Sequence, residues 1–352
     1  MVSRLKAGVS SLLLLAAVFF AAFPGLAYGA QPAWNSDWKE GLQEAKERNC
    51  PVILVAPLKR GTMAPSIFPD TFKDTDVIKL CTRFVCFYAD ADKYPAIDTL
   101  YAAKFVESDS GKYGSHQVIF CKPDGTELKK LRLWGAVTKA KVIKNMKSAL
   151  RGYNRSITSQ QYASCKALRD RAELLRGLGA YTEAVKAYEE LAKKESEIRF
   201  VKEAAGKPAE LKKEAAGKVE EAAKALAEGD PQQKAQAVKN LHIYFYGMKR
   251  LDAKAAGDPE KTLHQRVRDL LALAKKDRAL KAQYSLGQKT AKAFEQFVKA
   301  ELAFLDGNFK SAMKYYKKIT RSYDETDYYD RAKARIQEIV RKFTPEKKST
   351  TP

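Results

Sequence analysis

Cysteine and histidine are scarce in this chain, five and three residues among 352. The five cysteines (Cys50, Cys81, Cys86, Cys121 and Cys165) are too few to staple a chain of this length as a disulfide scaffold. Their odd number leaves at least one without an intramolecular partner. No two of them form a Cys-x-x-Cys pair. The histidines, His116, His242 and His264, are too far apart to give metal-ligand spacing, so neither a metal nor another cofactor is expected. The phosphate-cradling Gly-x-x-x-x-Gly-Lys-Ser/Thr loop and the Gly-x-Ser-x-Gly elbow are both absent. Asp90 and Asp92 follow an apolar run, where carboxylates could hold a cation or work as acid and base, although such residues more often shape a turn. No pattern signals an enzyme, and no catalytic residue is assigned.

Long apolar runs are also missing, with one exception at the N-terminus. Leu12–Phe23 is an unbroken apolar stretch, preceded by Arg4 and Lys6 and followed by Pro24-Gly25 and the small-residue pattern Ala27-Tyr28-Gly29. Positive charge, apolar core and cleavage site in that order predict a secretory signal over residues 1–29 and a periplasmic or secreted protein. An uncleaved anchor is the alternative, but the run is short of the roughly 20 residues that a span needs. Negative charge is the third deficit: 64 basic residues face 42 acidic ones, for a net charge of +22. Beyond residue 150 the count is 43 basic against 28 acidic. Such an excess suits an acidic protein, an acidic envelope polymer or an anionic membrane surface. Nucleic acid is not an expected partner where a signal peptide delivers a protein. A merely solvated lysine-rich surface is the plainer reading, since many lysines alternate with glutamate at helical spacing.

Between residues 30 and 150 helix and strand signals alternate. Trp38, Leu42 and Ala45 recur at helical spacing behind Ser36 or Asp37, either of which can cap a helix. Pro51–Ala56 and Arg83–Tyr88 are continuous apolar runs of the kind found in strands buried on both faces. Val118–Cys121 and Leu128–Leu133 flank Lys122-Pro-Asp-Gly125, a turn sequence that predicts a hairpin. Helical stretches near 74–81, 96–106 and 138–150 complete an α/β domain with a mixed sheet. Residues 151–160 are polar and read as a linker, residues 161–344 as helical throughout, and residues 345–352 as a disordered tail. The hexapeptide KEAAGK occurs at 202–207 and again at 213–218; the 11-residue offset predicts one helix face carrying both copies.

Residues 34–150 resemble the thioredoxin-like family, especially secreted members that begin with a Trp-bearing helix. The resemblance rests on Trp38, Glu44-Ala45-Lys46, Pro51-Val52-Ile53-Leu54, Phe72, Asp76-Val77, Phe84-Val85, Asp90 and the hairpin from Val118 to Gly125. It implies that the redox pair of the family is lost, because its place falls on Gly61-Thr62-Met63-Ala64. The position of the family's cis-proline falls on His116. Without a thiolate there is no nucleophile for disulfide exchange. Cys81, Cys86 and Cys50 are the cysteines through which an unorthodox redox pair could still act.

In the second half, Gly179-Ala-Tyr181-x-x-Ala184-x-x-x-Tyr188 and Gly307-Asn-Phe309-x-x-Ala312-x-x-x-Tyr316 share one pattern. It resembles the second helix of tetratricopeptide repeats and implies a helical-repeat-like domain. By that analogy Lys166, Arg169 and Arg176 on the preceding helix would line a concave face suited to an acidic peptide or polymer. The function expected is protein interaction or scaffolding in the cell envelope on a redox-inactive thioredoxin-like module. The alternatives are a thiol–disulfide oxidoreductase or isomerase with a non-standard cysteine pair, and an electrostatic binder of an anionic polymer or membrane.

Overall fold

The computed structural model of the chain describes residues 32–56, 70–105, 117–135, 137–194, 197–251, 253–255 and 258–343. The expected signal segment, Gly61–Ala64, His116 and the expected tail lie outside the described residues. The chain forms a mixed α/β unit followed by a predominantly helical one. They divide within a helix at Ala167, and residues 197–202 group with the sheet.

The sheet unit contains β1 (Trp34–Asn35), α1 (Trp38–Glu47), β2 (Val52–Ala56), α2 (Thr75–Cys81) and β3 (Val85–Tyr88). It continues through α3 (Pro95–Phe105), β4 (Gln117–Cys121), β5 (Leu133–Trp134) and α4 (Lys139–Leu150). The strand order is β1-β3-β2-β4-β5. β1, β3 and β2 run parallel, whereas β4 pairs antiparallel with both β2 and β5. Strand alternation divides the side chains between two cores. Ile53, Val55, Cys86, Val118 and Phe120 face α2 and α4. Val52, Leu54, Phe87, Ile119 and Cys121 face α1 and α3. Burial on both faces explains why β2 is apolar without alternation.

Local signals account for the ends of these elements. Asp37, one of the two expected caps, accepts from the Glu40 N–H at 2.8 Å and starts α1. Gly125 has φ +84 and closes the expected turn after β4. The second arm of the hairpin is shorter than its sequence suggests, because Lys129–Leu131 forms a 3-10 turn. The reason is Arg132, whose guanidinium donates to both carboxylate oxygens of Glu127 at 2.6 Å each and folds the intervening residues back.

Residues 151–158 run along this unit, held by two arginines. Arg48 is 1 % exposed; it donates to the Thr82 carbonyl at 2.6 Å, the Ile157 carbonyl at 3.1 Å and Glu44 at 2.6 Å. Arg83 reaches the Tyr153 carbonyl and the Ser156 hydroxyl. In return the Ile157 N–H donates to the Arg48 carbonyl, and the Ser159 N–H to the Thr82 carbonyl. Thr158 and Gln161 then exchange bonds as a capping box and start α5 (Ser159–Leu178).

The helical unit takes in the rest of α5 and α6 (Tyr181–Ala192). The short α7 (Arg199–Ala204) precedes α8 (Lys207–Glu228) and α9 (Pro231–Gly247). An antiparallel ribbon, β6 (Lys254–Ala255) with β7 (Asp258–Thr262), interrupts the helices. It is followed by α10 (Leu263–Lys276), α11 (Lys281–Leu305), α12 (Phe309–Ser322) and α13 (Tyr328–Phe343). α9 packs on α8 and α11, and α12 packs between α11 and α13. Asp230 and Gln233 form a reciprocal cap with Pro231 at the first turn of α9, as the Gly-Asp-Pro signal requires. The two KEAAGK copies do not share a helix face. The first straddles the end of α7 and the turn at Gly206, so only the second is continuous helix.

Replacing Arg48 by Ala would take the guanidinium donors from the Ile157 carbonyl and Glu44 and leave the Thr82 carbonyl only the Ser159 N–H. The expected loss is about 3 kcal/mol of stability in urea unfolding, and Arg48→Lys should recover only a minor part because one ammonium cannot reach all three acceptors.

Candidate functional site

All five cysteines are described, and each is buried and in no disulfide. Cys81 at the end of α2 and Cys86 in β3 share the core beneath α2 and α4. The Cys86 thiol donates to the Cys81 carbonyl at 3.8 Å. A hydrogen bond with the Cys81 side chain and complete burial push the Cys86 thiol well above the usual range. Cys50 lies in the core on the other face of the sheet, together with Cys121. Burial raises Cys50 to about 11, against the partial opposition of Arg48. Burial and the nearby Glu127 raise Cys121 to about 12. A thiol reacts as its thiolate, so these environments hold the side chains in the unreactive form at neutral pH. Of the three cysteines singled out from the sequence, the fold brings Cys81 and Cys86 together and places Cys50 elsewhere.

Asp90 accepts from the Asp92 N–H at 3.0 Å, and its own carbonyl receives the Lys93 and Tyr94 N–H groups. The two carboxylates thus sit in a turn ahead of α3. His242 is a core residue of α9, edge-on to Tyr284 at 4.6 Å, and burial lowers its pKa to about 4. His264 stacks against Phe245 at 4.5 Å.

The three basic residues proposed for a concave face all lie on α5. Lys166 is exposed, Arg169 is half-buried and bonds to the adjacent Asp170, and Arg176 donates to Glu214 of α8 at 2.9 Å. Around Arg176 is a cleft of about 500 Å³ lined by Glu173, Tyr181, Glu214 and Lys218. The Tyr181 hydroxyl also donates to Glu214, and burial next to that carboxylate pushes the phenol up. The guanidinium is therefore already neutralised within the domain.

The paired aromatic motifs build two equivalent helix corners. Gly179 and Gly307 take φ +82 and +71, a backbone region that side chains disfavour, and α6 and α12 start directly after them. Ala184 and Ala312 are fully buried. Tyr188 donates to Glu173 and Tyr316 to Glu301, in each case 15 residues back on the preceding helix. The second corner is the more enclosed: Glu301 is 2 % exposed and also receives two bonds of 2.9 Å from Arg335 of α13. The shared sequence pattern contains the two tyrosines but not the carboxylates they bond. The common 15-residue offset of a Glu before each Tyr was the signal available. No known protein family matches the chain, and no curated protein does.

Two measurements follow from these geometries. Because Cys50 and Cys121 keep their protons above the ordinary thiol value of 9.0, the unfolded state releases protons that the folded state retains. Their contribution to stability is complete below pH 9.0 and is lost as pH rises through the window toward 11 and 12. Urea unfolding should show this decline, and a Cys50→Ala/Cys121→Ala variant should flatten it. At the second corner, Tyr316→Phe should cost about 1–2 kcal/mol. Arg335→Met should cost more, roughly 3 kcal/mol, because it strands a buried carboxylate.

Proposed function

We propose that this chain is a non-enzymatic interaction or scaffolding protein of the cell envelope, built on a redox-inactive thioredoxin-like module and a tetratricopeptide-like helical half. The observation that carries the reading is the state of the thiols. All five are buried, and three are held as protonated thiols, Cys50 and Cys121 by desolvation and Cys86 by its hydrogen bond with Cys81 and by burial, whereas exchange chemistry needs an accessible thiolate. Three parallel strands extended by an antiparallel hairpin, with helices on both faces, support the thioredoxin-like assignment. The twin Gly–aromatic–Ala–Tyr corners support the repeat-like assignment. The signal-like N-terminus supports a periplasmic or secreted location. With the sheet unit's cysteines spent in its cores, surface recognition is the role left to this fold, and an acidic protein or envelope polymer is the partner its charge suits.

The test is a disulfide-exchange assay of the folded protein against a glutathione buffer, with each cysteine followed by mass spectrometry. No cysteine should exchange until denaturant is added. A defined pair that cycles in the folded protein would overturn the redox-inactive reading and point to Cys81 and Cys86.

A further inference from the structure

Helix α12 carries Lys310, Lys314, Lys317, Lys318 and Arg321 and no acidic residue. All five cations are exposed. Their spacing of three and four sets them along one face, about 16 Å long at 1.5 Å per residue. The opposite face, Ala312, Tyr316 and Ile319, is buried. The cations line a groove of about 740 Å³ that reaches Gln296 of α11, with no carboxylate in its walls. Elsewhere in this unit lysines meet glutamates at helical spacing: Lys186 with Glu183, Lys207 with Glu210, Lys218 with Glu221 and Lys299 with Glu295. None of the five α12 cations has such a partner among the described residues. Lys310 with Lys314, Lys314 with Lys318 and Lys317 with Arg321 are like-charge neighbours four apart, an arrangement that works against the helix carrying it.

We infer that this groove is the docking site of an acidic polypeptide segment. The inference rests on the interaction reading above and names its partner class. Charge complementarity carries the assignment, and shape and spacing specify it. Lys310, Lys314 and Lys318 recur about every 6 Å along the helix. Side chains on one face of an extended chain recur every 6.4–6.8 Å or so, so acidic residues at alternate positions meet successive lysines. The walls add half-buried Met313 and Tyr315 for the peptide's apolar contacts. A helix that lies on lipid instead presents an exposed apolar face beside its charges; on α12 that face is occupied by the core of the unit.

The experiment measures binding of the purified protein to a labelled alternating Glu–Ser peptide by fluorescence anisotropy at low ionic strength. Two variants are compared, each with four lysines removed: Lys310→Gln/Lys314→Gln/Lys317→Gln/Lys318→Gln in the groove, and Lys213→Gln/Lys224→Gln/Lys275→Gln/Lys281→Gln outside it. All eight side chains are exposed or line the groove, and melting profiles establish that both variants fold. The groove variant should bind roughly tenfold or more weakly, and the outside variant within about twofold of the parent. Binding by the parent should also weaken steeply as the screening length falls from about 30 Å at 0.01 M salt to about 8 Å at 0.15 M. Equal loss in both variants, salt-insensitive binding, or no peptide binding would overturn the proposal. So would binding to phosphatidylglycerol vesicles or polyphosphate in place of the peptide. Absent peptide binding without thiol exchange refutes this groove and leaves the interaction reading standing. Thiol cycling with groove-dependent peptide binding does the reverse.

Discussion

Arg48 is the residue on which the closure of the sheet unit depends. Its guanidinium has no route to water, so each donor must find an acceptor within the fold. It finds them on three separate pieces of chain: the carboxylate of Glu44 in its own helix, the carbonyl of Thr82 before β3, and the carbonyl of Ile157 beyond α4. A planar fork of donors can satisfy three acceptors at once only in one arrangement. The end of α1, the start of β3 and the segment after α4 are thereby brought to one geometry. Arg83 repeats the device on the same segment, and Tyr162 adds a bond of 2.6 Å to Glu47.

The same rule, that buried charge must be answered, runs through the helical unit with a different cast. Glu301 is answered by Tyr316 and Arg335, and Glu214 by Arg176 and Tyr181. Glu301 is buried and Glu214 half-buried, and in both cases the partners come from other helices, so each network favours a particular helix arrangement. Several surface lysines of this unit pair with a glutamate within a turn. Against that background α12 differs, with five exposed cations and no acidic residue on one helix.

How much of this was legible in the sequence depends on whether the cause is local. Asp37, Gly125, Asp230-Pro231, Gly179 and Gly307 act within a few residues of themselves, and each does what its residue type suggests. The apolar runs at β2 and β3 betray strands covered on both sides. By contrast, the interrupted β5 arm follows from Glu127 meeting Arg132, and the two KEAAGK copies part because the chain turns at Gly206. The polar residues 151–158 look like a linker in composition but are bonded to Arg48 and Arg83, which lie 70 or more residues away in sequence.

Composition and motif spacing determined an α/β half with a mixed sheet, a helical half, the two glycine corners and the absence of a Cys-x-x-Cys pair. These follow from dihedral preference and hydrophobic period, which neighbouring residues set among themselves. Only the tertiary structure decided that Cys81 and Cys86 meet while Cys50 is on the other face, that Arg176 is neutralised by Glu214, and that the α12 cations are not. Those outcomes depend on which distant carboxylate or apolar surface arrives beside a side chain, and Coulomb interaction and desolvation respond to distance in space rather than in sequence.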